Sequence, residues 1–268
     1  MPPASISVSP ASGADDQAFI PVYVISLPDA EVRRRKMTSR LAGAGIPFKF
    51  FDAPYGPKRP IPAEIDGVAI LREPFRTESE IGCTISHWLV HKMIAEGDGD
   101  TALIFEDDAV LSQDFAQILR RALSFDFDVF KFEGVNVSNR RVTIARIDSY
   151  EVTVTSSPSM GAAAYLLRRE AARRICSLKA IDQINDAIFG DPRLRLRVLE
   201  MVPFCVHQDG ETPSQLRALP IPSYVPQRQR SFRRLVQSFK RKIMIARVHG
   251  LGVLARLELQ RLRPMKDR

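Results

Sequence analysis

The chain has 268 residues, 45% of them hydrophobic and 26% charged, which excludes a mainly disordered, collagen-like or coiled-coil protein. No apolar run reaches the roughly 18 residues of a bilayer span, and the N-terminus predicts no secretory leader. The net charge of +8 is uneven: residues 224–268 carry 13 Lys and Arg against 2 Asp and Glu, leaving 26 against 29 in residues 1–223.

An acidic body with a basic tail argues against nucleic-acid binding and for an anionic partner of the tail. Cys83, Cys176 and Cys205 form no CxxC pair and fit a reducing cytoplasm. Residues 1–18 are small, polar and Pro/Ser-rich, and predict disorder ahead of a domain spanning 19–222. Phe19–Leu27 reads as a buried strand. A helix follows, with Asp29 as its cap, Val32, Met37 and Leu41 on one face and Arg33, Arg34, Arg35 and Lys36 on the other. Gly43 and Gly45 end it, and Ile46–Phe51 returns as a second strand. This β-α-β opening predicts a mostly parallel central sheet flanked by helices.

Residues 53–76 hold five prolines and predict a loop. Thr77-Glu-Ser-Glu80 matches a capping box, ahead of a helix over 81–95 stopped by Gly97. Thr101–Phe105 is a buried strand that runs directly into Glu106-Asp107-Asp108. A helix (114–123), a strand (127–133), a hairpin (141–154), a strand (161–167), a helix (169–177), a helix (181–190) and a strand (197–206) complete an α/β sandwich. Residues 223–268 differ in kind. Phe232, Leu235, Val236, Phe239, Ile243 and Ala246 recur at helical spacing beside Arg233, Arg234, Lys240, Arg241, Lys242 and Arg247. This basic amphipathic helix either lies on an anionic membrane surface through residues 228–247 or packs on its own domain.

Glu106-Asp107-Asp108 is the strongest chemical signal. Three consecutive carboxylates at the end of a buried strand repel one another unless a cation joins them, and a hard divalent ion bound to phosphates would do so. In an extended chain Glu106 and Asp108 point to one side and Asp107 to the other. The plainer alternative is a set of turn and capping acids. His87 and His91 share a helix face, but without HExxH they make an incomplete zinc site. Ser86 and His87 are a poor nucleophile–base pair, because helix neighbours point about 100° apart.

Taken in order, the motifs resemble glycosyltransferase family 25, the lipopolysaccharide and lipooligosaccharide sugar transferases and collagen galactosyltransferases. They are Val22-Tyr-Val-Ile-Ser-Leu27 with Arg33-Arg34, Glu80-Ile-Gly-Cys83 with Ser86-His87, Ile104-Phe-Glu-Asp-Asp108, Asp128-Val-Phe-Lys131, Gly161-Ala-Ala-Ala-Tyr165, Asp186-Ala-Ile-Phe189 and Pro203 to Gln208. The resemblance implies a GT-A-like fold, a UDP-sugar donor (typically UDP-galactose), a divalent metal with Mn2+ first, and inversion at the anomeric carbon. By the same analogy Asp108 and Glu106 ligate the metal, Glu106 leans toward the ribose and Asp107 supports them. Ser26, Arg33, Arg34, Ser86, His87 and Gln208 would border the donor. Asp186 is the first candidate for the base that deprotonates the acceptor, and Asp182 the second. The acceptor implied is a lipid-linked saccharide of the cell envelope, reached from the cytoplasm at the inner face of the membrane. Ser26-Leu27 departs from the family's usual "N-L", and the arginine that normally follows is missing. The rival reading is a non-catalytic GT-A-like saccharide- or nucleotide-binding protein, against which the intact Glu-Asp-Asp argues.

Overall fold

The structure, a computed structural model, describes residues 6–8, 20–55, 59–135, 140–210 and 230–262. The chain opens with β1 (Ile6–Val8), β2 (Val22–Ser26), α1 (Glu31–Gly43) and β3 (Lys49–Asp52). Then come β4 (Glu64–Ile65), β5 (Val68–Ile70), α2 (Glu78–Glu96), β6 (Thr101–Glu106), β7 (Ala109–Leu111) and α3 (Phe115–Ala122). β8 (Val129–Lys131), β9 (Arg141–Ile147), β10 (Tyr150–Thr155), β11 (Ala164–Arg168) and α4 (Arg169–Cys176) follow. The last elements are β12 (Ala180–Ile181), α5 (Asn185–Ile188), β13 (Val198–Val202), β14 (Val206–Gln208), α6 (Arg230–His249) and α7 (Leu251–Leu262).

Nine strands form one sheet in the order β1-β3-β2-β6-β11-β8-β13-β10-β9. The β2–α1–β3 unit forms as its pattern predicts, with Val24 opposite Phe50 and Phe105 in parallel register. The sheet as a whole is mixed, however, which corrects the mostly parallel expectation. Within this sheet, among the described residues, only β3–β2, β2–β6 and β8–β13 are parallel pairs. β6 and β8 run the same way, joined through α3, and β11 fills the gap between them in the opposite direction. Strand–helix alternation says nothing about a strand inserted late. β9 and β10 form the antiparallel hairpin predicted for 141–154.

Both faces of the sheet are covered, so its central strands are apolar throughout rather than alternating. On one face Val24, Leu103, Phe105, Phe130 and Leu166 pack with Met37 and Leu41 of α1 and with Phe115 and Ile118 of α3. On the other, Ile25, Ile104, Tyr165 and Leu167 pack with Val90 and Ile94 of α2 and with Ala171, Ala172 and Ile175 of α4. The α2 cap forms at Thr77, whose Oγ1 accepts from the Glu80 N–H at 3.1 Å. The reciprocal arm lands one residue early, because the Glu80 carboxylate accepts from the Arg76 N–H at 2.6 Å.

Several local expectations change. Ala30 rather than Asp29 precedes α1, with no side-chain cap, and Val32 is 53% exposed. The stretch 53–76 contains β4 and β5, which with β12 build a small sheet under Ile81, Ile85 and Trp88. The helix expected over 181–190 shrinks to α5, since β12 takes its first residue into that sheet. The strand over 197–206 breaks near Pro203, which has no N–H to donate, into β13 and β14. Ile6–Val8 pairs with β3; the rest of the N-terminal segment predicted as disordered lies outside the described residues. In the tail, Met244 and Ile245 of α6 pack with Leu257 of α7 against Val142 of β9. Phe239, at 64%, and Ile243 are exposed, while the side chains of Phe232, Leu235 and Val236 lie outside the described residues. Among the described residues no helix is long and apolar enough to cross a membrane.

Candidate active site

β6 is buried through Phe105 and delivers Glu106, Asp107 and Asp108 to the edge of the sheet where the parallel strands β3, β2 and β6 end. A cavity of about 100 Å³ opens there, walled by Ile25 and Ser26 of β2, Arg33 of α1, Tyr55, Cys83 of α2 and the three acids. Its position beyond the carboxyl ends of parallel strands is the usual place for a ligand in an open α/β sheet.

The three acids face different partners. Glu106, the last residue of β6, turns toward α2, where its Oε1 lies 3.0 Å from His87 Nε2 and 3.8 Å from Cys83 Sγ. Asp107 accepts from Ser26 Oγ at 2.6 Å and from Arg33 Nη1 at 2.9 Å. The chain turns after Glu106, so Asp108 also faces Arg33, at 3.8 Å. Asp108 Oδ1 is buried and has no hydrogen-bond partner among the described residues.

Charge is the outstanding property of this cavity. Burial, with Asp186 and Asp107 adding repulsion, pushes the Glu106 carboxyl up to about 8. Burial and the Glu106 carboxylate push Asp108 up to about 7, against the pull of Arg33. Burial likewise raises the Cys83 thiol well above its ordinary value. The same desolvation, outweighing the attraction of Asp186, lowers His87 to about 4 and keeps it neutral near pH 7.

Behind Glu106 lies a chain of buried polar groups that ends at His91, whose Nδ1 has no hydrogen-bond partner among the described residues. His87 Nδ1 is 2.9 Å from Tyr165 Oη, which is 2.6 Å from His91 Nε2. The two histidines therefore meet on a tyrosine of β11. Cys83, His87 and Glu106 are the one group of three His, Cys, Asp or Glu ligand atoms found close together among the described residues, all within 4.8 Å of one another. Ser86 Oγ donates back to Gly82 O at 2.7 Å and lines the cavity without engaging His87.

A second acidic pair stands on the loop before β11. The Gly161 N–H donates to Asp186 Oδ2 at 2.8 Å, and the Ala163 N–H to Glu133 Oε2 at 3.0 Å. Gly161 has φ +101°, and a Cβ there would lie 2.5 Å from Glu133 Oε2, so only glycine lets both carboxylates face one loop. Burial raises Glu133 to about 7. Sequence reasoning passed over Glu133. Its signal was the pair Lys131-Phe-Glu133, two charges spaced by two where the expected strand 127–133 runs on from Val129-Phe130.

The structure thus brings Ser26, Arg33, Ser86, Glu106, Asp107 and Asp108 to one cavity, with His87 directly behind it and Asp186 close enough to raise Glu106. Three other candidates are not brought there. Arg34 stands behind the cavity wall at the β2–β3 ends, donating to Leu27 O at 3.0 Å, Ser26 O at 3.1 Å, Ser26 Oγ at 3.2 Å and the Asp52 carboxylate. Asp182 is held by Arg193 through two bonds of 2.8 Å, away from the acids. Gln208 is exposed on β14, opposite Ala109 of β7.

Residues 19–188 match the sequence profile of Glycosyltransferase family 25 (LPS biosynthesis protein). The chain is 30% identical over 186 residues to the lipooligosaccharide biosynthesis protein lic2B of Haemophilus influenzae, covering 62% of this chain and 70% of that one. It is 29% identical over 163 residues to the lacto-N-neotetraose biosynthesis glycosyltransferase LgtE of Neisseria meningitidis serogroup B, covering 56% and 58%. It is 24% identical over 197 residues to procollagen galactosyltransferase 1-B of Xenopus laevis, covering 68% of this chain and 32% of that longer one.

Proposed function

Because the chain belongs to glycosyltransferase family 25, we propose that it moves a hexose, galactose first, from a UDP-sugar to a lipid-linked saccharide of the cell envelope, with inversion and on a GT-A-type fold. The observation that carries this reading is the unpartnered, buried Asp108 Oδ1 beside a Glu106 carboxyl raised to about 8. Such a site is short of positive charge, and the divalent cation that accompanies a nucleoside diphosphate would supply it. Galactose is favoured by the name of the procollagen relative, and the envelope acceptor by the lipooligosaccharide relative.

The donor set fits a hard cation: carboxylate oxygens on Asp108 and Glu106, one of them with no competing hydrogen bond. Those two residues would hold the ion, Mn2+ first. When bound, it neutralises charge that develops on the departing diphosphate. Ser26 and Arg33 lock the Asp107 carboxylate, so the turn that carries Asp108 is held in one orientation. The Arg33 guanidinium, at the cavity wall beside Asp107 and Asp108, would serve the phosphates of a bound donor. Ile25, Leu27 and Tyr55 offer the apolar and aromatic surface a nucleobase needs. Asp186 takes the proton of the acceptor hydroxyl as that oxygen bonds to the anomeric carbon. The bond from carbon to phosphate oxygen breaks in the same step, and UDP leaves with the electron pair.

The tail gives such an enzyme a way to reach its acceptor. Lys240 and Arg247 are exposed on α6 beside the exposed Phe239 and Ile243. That pattern supports contact of residues 228–247 with an anionic membrane surface, at about 1 kcal/mol per basic residue near the lipid, and so a cytoplasmic enzyme at the inner face of the membrane. The test is UDP release by the full chain from UDP-galactose, UDP-glucose and UDP-N-acetylglucosamine, with lipooligosaccharide acceptor and either Mn2+ or a chelator. Release from one donor, dependent on both metal and acceptor, is expected. No release from any donor in either condition would contradict the proposal.

A further inference from the structure

Away from the catalytic cavity, a second cleft of about 130 Å³ lies where the tail meets the body. Its walls are Arg140, Ser156 and Ser157 at the end of the β9–β10 hairpin, Arg241 and Lys242 of α6, and Glu258 of α7. It has room for several water-sized groups, each of which needs about 10–15 Å³. Both walls are tied in place. Gln260 of α7 bonds the backbone of Arg141 on both sides, at 3.1 and 2.8 Å, and Lys242 pairs with Glu258 at 2.8 Å.

The charges of this cleft do not cancel. Glu258 is taken up by Lys242. Asp191, an acid whose charge acts on Arg241, is engaged by Arg193 at 2.6 Å and by Gln183 at 2.6 Å. Arg241 donates Nη1 to Ser157 Oγ at 2.9 Å, but its buried Nε has no hydrogen-bond partner among the described residues. Among the described residues Arg140 makes no ion pair. A half-buried guanidinium is costly unless its donors are met, and Arg241 at the cleft wall, with Nη1 already on Ser157, presents its fork to an anion in the cleft. Burial accordingly lowers Arg241 from the usual arginine range. The arginine fork matches the oxygens of a phosphate two at a time, and serine hydroxyls take the remainder.

We propose that this cleft is a phosphate-binding site, independent of the catalytic cavity, in which Arg241 and Arg140 hold a phosphate mono- or diester with Ser156 and Ser157. The group could be free, as on a phosphorylated saccharide, or the headgroup of an anionic phospholipid; the chemistry is shared. Either would bind at the seam between tail and body and so clamp α6 and α7 against β9.

The test uses the full chain and two variants, Arg241→Gln and Arg140→Gln, with Arg120→Gln/Lys179→Gln, two exposed basic residues away from the tail, as a control for general surface charge. One arm titrates inorganic phosphate by calorimetry; the other measures co-sedimentation with phosphatidylcholine vesicles with or without phosphatidylglycerol. The expected result is saturable binding in at least one arm, weakened about tenfold or more by each cleft variant, as for a lost charge-assisted bond, and less by the control. Binding of phosphate without vesicles assigns a free phosphate ligand, and binding only to phosphatidylglycerol vesicles assigns a headgroup. The proposal is overturned if neither arm shows binding, or if binding survives both cleft variants and falls only in the control. Circular dichroism of the variants, expected to match the native chain, separates loss of the site from loss of the fold.

Discussion

Two of the buried charged clusters among the described residues of this sheet are built to opposite rules. In one, Lys131 of β8 donates to Ser159 O and to Ser159 Oγ at 3.1 Å, while Glu200 of β13 accepts from Ser159 N and Oγ, both at 2.6 Å. Cation, hydroxyl and carboxylate complete one another, and nothing remains for a ligand to do. In the other, at the end of β6, Asp108 keeps an unpartnered oxygen and two carboxyls are raised to about 7 and 8. The first cluster closes within the protein; the second closes only when something arrives. Burial alone therefore does not mark a functional site. What marks it is burial together with an unmet electrostatic need.

The largest effect that could break this comparison belongs to the open cluster. Asp108→Asn should lower metal-dependent turnover on the order of 1,000-fold, with the unfolding midpoint in denaturant unchanged or raised. Activity near the native level would remove Asp108 from the site. The closed cluster should respond in the opposite sense. Lys131→Met leaves Glu200 buried without its cation and should cost about 3–5 kcal/mol of stability, measured by urea unfolding, while the folded fraction keeps its affinity for UDP.

A pH series sharpens the contrast. Glu106 and Asp108 have folded values of about 8 and 7 against ordinary values of 4.5 and 3.8. The folded state thus binds more protons than the unfolded one between these limits. The stability they contribute is complete below about pH 4 and is lost as pH rises through 7 to 8. His87, lowered from 6.5 to about 4, contributes stability that is present above pH 6.5 and lost as pH falls through 4. Thermal midpoints of the metal-free protein should therefore decline from pH 6 to pH 8.5. Glu106→Gln should flatten that decline, and Mn2+ should raise the midpoint more at pH 8 than at pH 6, because it competes with protons. An equal metal effect at both values would contradict the raised carboxyls. The smallest effect is Thr77→Ala, which removes the α2 cap at a cost of about 1 kcal/mol and should leave turnover per folded molecule intact.

What the sequence revealed follows from locality. β2 and β6 are legible because burial on both faces demands continuous apolar runs, and the start of α2 because its cap lies within four residues. The Glu-Asp-Asp run is legible because its repulsion is local too. The direction of β11 is not, since no residue in Gly161–Leu167 encodes which strands it will part. Arg33 and Arg34 are neighbours in sequence but point about 100° apart on α1; one reaches Asp107 and the other the β2–β3 ends. Asp182 and Asp186 look alike until Arg193 is seen to take the first. In the tail, Phe239 and Ile243 set the apparent stripe, whereas Met244 and Ile245 are buried. α7 supplies a partner that the helical period of α6 alone does not predict.

The central claim is that the acids after β6 wait for a cation carrying a nucleoside diphosphate. Calorimetry of UDP binding to the native chain and to Asp108→Asn, each with Mn2+ and with a chelator, tests it most directly. The account predicts binding only for the native chain with Mn2+. Equal binding of UDP in the chelated sample, or undiminished binding by the variant, would contradict it.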